Sequence, residues 1–222
     1  MRISAETIYQ AMYIQGRGKL KTEVQKALRQ GKAVRRKRGE RKPRQRFKDE
    51  MIMISERDKD KGAREREVPG HWEGDLICGK ANRSAIVSLV ERVSRFTVLL
   101  ALPSGRHDAV AVRDAVVGWL RGLPAGAGVS LAWDQGAEMA LHSQVAADGG
   151  VEVYFCDPGS PWQRPSNENT NGLVRQFLPK GMDLSGVSQV ELDVIAGLLN
   201  NRPRGVLEWS KPQEVWDELF GV

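Results

Sequence analysis

Three carboxylates in this chain of 222 residues stand where metal-dependent chemistry could use them: Asp75, Asp134 and Glu168. Asp75 lies within the run His71 to Cys78, in which Glu73 and Ile77 share its face and Trp72, Gly74 and Leu76 take the other. Asp134 ends a second apolar run, Val129 to Trp133, and Glu168 falls just inside a helix opened by Pro165 and Ser166. Along that helix Leu173, Val174, Phe177 and Leu178 take one side, whereas Glu168, Asn171, Gly172 and Arg175 take the other, away from the core. By itself, an acid in a helix's first turn does no more than complement the helix dipole. The aspartates change that reading: if the first and fourth strands are neighbours, the pair meets near the middle of the sheet and the helix lowers Glu168 onto it.

Like charges gathered in this way are costly unless a cation offsets them. Magnesium meets the requirement, because it prefers hard oxygen donors, uses few carboxylates and keeps positions for water and phosphate oxygens. Two such ions about 3.5–4 Å apart can activate an attacking hydroxyl and stabilise the leaving oxygen in phosphoryl transfer. Zinc has no comparable ligand set here. His71, His107 and His142 are scattered and read as packing or surface histidines, while Cys78 and Cys156 form no CxxC pair and read as small buried residues of a reducing cytosol.

The elements that must position these acids follow from periodicity. Val68-Pro69-Gly70 marks a domain boundary, after which His71 to Cys78, Ala85 to Glu91 and Phe96 to Leu102 alternate as three strands of an antiparallel meander. Asp108 opens a helix with Val112, Val116, Trp119, Leu120 and Leu123 on one side. Val129 to Trp133 and Val151 to Cys156 read as two more strands, with a helical segment from Met139 to Ala147 between them. Helices around Val190 to Leu199 and Pro212 to Phe220 close the chain. The order β-β-β-α-β-α-β-α predicts an α/β fold, a mixed sheet with helices on both faces.

Charge divides the chain unevenly. Residues 1–50 carry 16 Lys and Arg against 5 Asp and Glu, a net +11, and the remainder carries 18 against 23, a net −5. Residues 1–31 read as two short helices, the tail of a helical DNA-binding module or a small docking element. Residues 32–67 read as a basic linker, and residues 68–222 as the main domain. Arg35, Arg36, Lys37, Arg38, Arg41 and Lys42 lie in a stretch almost without apolar residues, which cannot form a core and suits either a solvated tether or contact with phosphates. Nothing in the sequence reads as a signal peptide or a membrane span.

Four motifs, GHWEGDLI from Gly70, LVER and SR from Leu89 to Arg95, WDQGAEMA from Trp133 and YFCDPGSPWQRPSNENTNGLVRQFLPKG from Tyr154, occur in order. Together they resemble the insertion-sequence 30 family of transposases, bacterial DDE recombinases with a retroviral-integrase-like, ribonuclease H-like fold. The 33 residues between Asp134 and Glu168 match the spacing of that family. The resemblance implies that Asp75, Asp134 and Glu168 form a catalytic triad holding two Mg²⁺ or Mn²⁺ ions, and that the chain cuts and joins DNA. Its partners would be element ends and target duplex, with further copies of itself on DNA, in a bacterial cytoplasm near the nucleoid and away from membranes. Arg164, Arg175 and Lys180 would contact phosphates near the cut.

Departures from the family pattern are Gln135 for a common Asn, Pro165 for a common Gly and Gly205 for a common basic residue. Members also carry helix-turn-helix segments ahead of an ETIY motif, here Glu6 to Tyr9. The chain is therefore expected to match the rear two-thirds of such a transposase, without the N-terminal helix-turn-helix region. The alternative function is a non-catalytic DNA-binding derivative that interferes with the full-length enzyme.

Overall fold

The computed structural model describes residues 50–57 and 66–221. The helices expected before Gly31 and the basic residues from Arg35 to Lys42 lie outside them. Five strands form one sheet: β1 (His71–Cys78), β2 (Ala85–Glu91), β3 (Thr97–Ala101), β4 (Ser130–Trp133) and β5 (Glu152–Phe155). Their spatial order is β3-β2-β1-β4-β5. The three-strand meander is antiparallel, and β4 and β5 add to β1 in parallel.

Helices occur where the apolar period lengthens: α1 (Ala109–Leu120), α2 (His142–Gly149), α3 (Pro165–Val174), α4 (Gln189–Asn200) and α5 (Pro212–Phe220). Start signals fix several of them. Asp108 accepts from the N–H of Ala111 at the head of α1, Ser188 and Glu191 form a capping box on α4, and proline opens α3 and α5. The helix carrying Glu168 is a turn shorter than its apolar pattern suggests. It ends at Val174, so Phe177 leaves the core and is 40 % exposed, while Leu178 remains buried.

Alternation along the strands divides the core between the two faces of the sheet. Trp72, Val87, Leu89, Leu131, Trp133 and Phe155 pack with Val112, Val116 and Leu120 of α1, Val145 of α2 and Trp216 of α5. Ile77, Ile86 and Leu99 pack with Leu173 and Val174 of α3 and Leu192, Ile195 and Leu199 of α4. β2 is buried at all seven positions, as a strand covered on both faces must be. Asp75 has the parity of Ile77, so it faces the α3 and α4 side.

Both edges of the sheet are closed. On β3, Gln189 donates to the carbonyl of Leu99 and accepts from the N–H of Ala101, and Asn200 exchanges two hydrogen bonds with the backbone of Thr97. Beside β5, Met53 bridges to Phe155 in parallel, and Ile54 packs with Ala132 and Cys156. Part of the stretch expected to be linker thus packs on the sheet, because its Met-Ile-Met-Ile run supplies the apolar side chains that the basic residues before it lack. Among the described residues no helix is long and apolar enough to cross a membrane.

Candidate active site

Strand register brings the two aspartates together. β1 and β4 pair with Glu73 opposite Ala132, so continuing that register by two residues sets Asp75 across from Asp134. The close approach needs Gly74, since a Cβ there would overlap the ring of Trp133, a residue wholly buried between the strands and α1. Gly74→Ala is expected to destabilise the fold by about 1–3 kcal/mol through this overpacking. A urea titration followed by tryptophan fluorescence measures it; an unchanged midpoint would mean that the strands separate without cost.

Arg164, just ahead of α3, lies between the carboxylates. Its guanidinium is 3.7 Å from Asp75 Oδ1 and 3.8 Å from Asp134 Oδ2, and it also donates to the carbonyl of Gly74. Asp75 accepts from the N–H of Leu76 at 2.9 Å and from Asn171 Nδ2 at 3.1 Å. Both aspartates line a cleft of about 490 Å³ with Cys78, His107, Gln135 and Glu138. Burial, countered by Arg164 and reinforced by Asp134, pushes the Asp75 carboxyl above the usual aspartate range. Glu138 is likewise pushed up, by burial and then by the charge of Asp134, while its Oε1 accepts from Trp133 Nε1 at 3.3 Å.

A buried polar network seats α3 against this corner. Glu73, wholly buried, pairs with Arg92 at 3.3 Å and accepts from the N–H of Asn167 at 2.9 Å. The Asn167 amide donates to the carbonyls of Glu73 and Ser88, and the Ser88 hydroxyl donates to Asn171 Oδ1 at 2.7 Å. Asn171 is thereby held with one end of its amide on β2 and the other on Asp75. Three residues apart on a helix, Glu168 and Asn171 are neighbours on one surface, so Glu168 stands one turn before the residue that holds Asp75.

Glu168 itself is exposed and does not line the cleft with the aspartates. Among the described residues no three His, Cys, Asp or Glu side chains are grouped closely enough to hold a metal ion. The donors still fit a divalent cation of the kind the resemblance implies. Asp75 and Asp134 offer hard oxygens, their charges crowd one another, and magnesium takes only one or two carboxylates besides water and phosphate oxygens.

The remaining expected site residues divide in three. Arg164 turns its charge to the aspartates, and Arg175 donates to the carbonyls of Cys78 and Leu178, bracing the end of α3 on β1. Lys180 is exposed in the turn that follows α3. Glu138, His107 and Asn171 reach the corner without having been singled out for it, although Glu138 sits four residues after Asp134 in the same motif. The other histidines are structural, with His71 bonded to the Ser130 hydroxyl and His142 to the carbonyls of Met139 and Glu50. Cys156 is buried, and burial lifts its thiol to about 11.

Comparison with known proteins supplies the context for this geometry. Residues 65–161 match the integrase core domain family, a stretch that contains Asp75 and Asp134 and stops before Glu168. Over 99 % of its length the chain is 46 % identical to a transposase for insertion sequence element IS1086 of Cupriavidus metallidurans, covering 64 % of that protein. Over 97 % it is 41 % identical to the transposase InsI for insertion sequence element IS30C of Escherichia coli, covering 56 %. A transposase for IS4351 of Bacteroides fragilis is 35 % identical over 98 % of the chain, with 65 % covered. The chain thus spans somewhat under two thirds of the length of these relatives. In fold it is similar to the catalytic core domain of BIV integrase, with a TM-score of 0.50 at 17 % identity, covering 68 % of this chain and 95 % of that one. The five-stranded mixed sheet is therefore ribonuclease H-like, as its strand order suggests.

Proposed function

We infer that the chain belongs to the insertion-sequence 30 family of transposases, and that it cleaves DNA at the ends of an insertion sequence and joins those ends to a target duplex. The observation that carries the reading is the meeting of Asp75 and Asp134, from adjacent parallel strands, on the wall of one cleft. In this reading Asp75, Asp134 and Glu168 hold Mg²⁺ or Mn²⁺. When bound, two such ions would activate the attacking hydroxyl and stabilise the leaving oxygen of an in-line displacement.

The chain's own groups have separable tasks. Asn171 orients Asp75 through Oδ2, leaving Oδ1 to the N–H of Leu76, so the carboxylate is fixed before substrate arrives. Arg164 supplies positive charge between the aspartates and limits their repulsion. Lys180 and the arginines from Arg35 to Arg41, with Lys37 and Lys42, contact DNA phosphates. DNA and further copies of the chain are the partners.

A labelled duplex bearing an element end tests the function. With Mn²⁺ or Mg²⁺ the chain should nick the strand at the end and transfer its 3′-hydroxyl into a second duplex, giving joined products longer than the substrate. Absence of both nicking and joining across metals and end sequences would contradict a catalytic role for this chain.

A further inference from the structure

His107 reaches the aspartate corner with a ring that nothing among the described residues engages. Its Nδ1 is buried out of reach of water and has no hydrogen-bond partner, whereas Nε2 is not enclosed in this way. The ring lines two adjoining spaces: the cleft of Asp75 and Asp134, and a trough of about 650 Å³ that continues past Glu138 to Arg83 and Arg106. We propose that His107 Nε2 donates to a phosphodiester oxygen of the DNA strand beside the phosphate that is cut, and so fixes where along the strand the aspartates act.

The unmet nitrogen is the first reason. A buried polar atom without a partner costs free energy that an apolar ring of similar shape would not, so its presence calls for an explanation. The other two histidines show the ordinary outcome. His71 Nδ1 lies 2.7 Å from the Ser130 hydroxyl, and His142 reaches the carbonyls of Met139 and Glu50. His107 alone of the three leaves one nitrogen unsatisfied and keeps the other open, on a ring that lines the substrate cleft.

Placement is the second reason, because His107 stands between two fixed points. On one side Gly105 takes a φ of +67° and lies so close to Ser84, just ahead of β2, that a Cβ would come within 2.6 Å of the Ser84 Cβ. On the other, Asp108 caps α1 and accepts from the N–H of Ala111 at 3.0 Å. A group held in advance loses little freedom when it meets its ligand.

Charge is the third. Imidazolium and the neutral tautomer with its proton on Nε2 both present a donor there, and an anionic oxygen selects those forms. Two acids share the trough, and both are engaged: Asp108 accepts from Arg106 and from Ala111, while Glu138 accepts from Trp133 and lies against Gly136, where a Cβ would overlap its carboxylate. Arg83, exposed on the same trough, adds positive charge further along. Such phosphate contacts set the register of a strand without reading its sequence. The identity of the partner rests on the transposase reading, but the contact itself needs no cleavage.

Nuclear magnetic resonance of the full chain labelled with [¹⁵N]histidine tests the contact, since only His71, His107 and His142 are present and His107→Gln identifies the ring concerned. Spectra are compared without and with a saturating random-sequence duplex, in chelator and in Ca²⁺, a cation that also takes oxygen donors. The His107 Nε2 signal should move, and those of His71 and His142 should stay. By fluorescence anisotropy, His107→Phe should bind the duplex roughly tenfold more weakly, the loss of one hydrogen bond to a charged group, while His107→Gln, whose amide keeps a donor near Nε2, stays within about twofold of the parent. His107→Phe should also melt no lower than the parent, because it removes the buried nitrogen, which separates the contact from a structural role. A folded His107→Phe that binds as the parent does, or a His107 signal unmoved in both conditions with the duplex bound, overturns the proposal. A moved signal in a chain that neither nicks nor joins DNA would support the contact and count against the transposase reading alone.

Discussion

Arg92→Leu should lower the stability of the chain by about 3–5 kcal/mol, because it leaves the carboxylate of Glu73 charged and uncompensated at a position with no exposure to water. The double variant Glu73→Leu/Arg92→Leu should recover most of that loss, since replacing both partners of a buried pair by apolar groups is close to neutral. A residue of about 1–3 kcal/mol should remain, because the N–H of Asn167 would lose the acceptor that anchors α3. Urea unfolding of the parent, the single variants and the double variant gives the cycle. A loss below 1 kcal/mol in Arg92→Leu would mean that water reaches Glu73 or that the pair is not formed.

Glu73 also marks the limit of what could be read from the sequence. In HWEGDLIC it shares a face with Asp75, and the two look equivalent. Burial separates them: Glu73 lies deep beneath α3, whereas Asp75, two residues further along the same strand, emerges at the cleft. The partners that make Glu73 tolerable, Arg92 and Asn167, are 19 and 94 residues away in sequence, so no local pattern reveals them.

What was legible had short-range causes. Strict alternation in β1, β2 and β4 set which residues face which helix layer. The adjacency of β1 and β4 stood only as a condition in the sequence; the observed strand order supplies it, and the facing of Asp75 and Asp134 then follows from their register. Arg164 read as a phosphate contact from the sequence; the structure sets its guanidinium beside Asp75 and Asp134, partners on two other strands that no local pattern reveals. Arg175 read as a phosphate contact for the same reason: the carbonyls it braces, Cys78 and Leu178, are brought to it only by the packing of α3 on β1.

Asp75→Asn, Asp134→Asn and Glu168→Gln should each reduce strand cleavage at least about a thousandfold, equivalent to roughly 4 kcal/mol of transition-state stabilisation, while remaining folded. Stability should move the other way for Asp75. Its carboxyl is held above the ordinary aspartate value in the folded chain, so ionisation opposes folding: the penalty is absent below the unfolded value, grows as pH rises towards the folded one and is complete above it. In chelator, Asp75→Asn should therefore melt above the parent at neutral pH, and the difference should vanish near pH 3. A variant that melts below the parent at neutral pH would mean that Asp75 stabilises the fold through Arg164 more than Asp134 repels it.

Whether Glu168 or Glu138 completes the acidic set is the sharpest question, because Glu138 shares the cleft with the aspartates and Glu168 stands outside it on the first turn of α3. Titration of Mn²⁺ into the parent and into Asp75→Asn, Asp134→Asn, Glu168→Gln and Glu138→Gln, read by the electron paramagnetic resonance of free Mn²⁺, addresses it without requiring catalysis. The account predicts that the first three variants each weaken Mn²⁺ binding at least tenfold and that Glu138→Gln binds as the parent does. Parent-like binding by Glu168→Gln, together with weakened binding by Glu138→Gln, would contradict it.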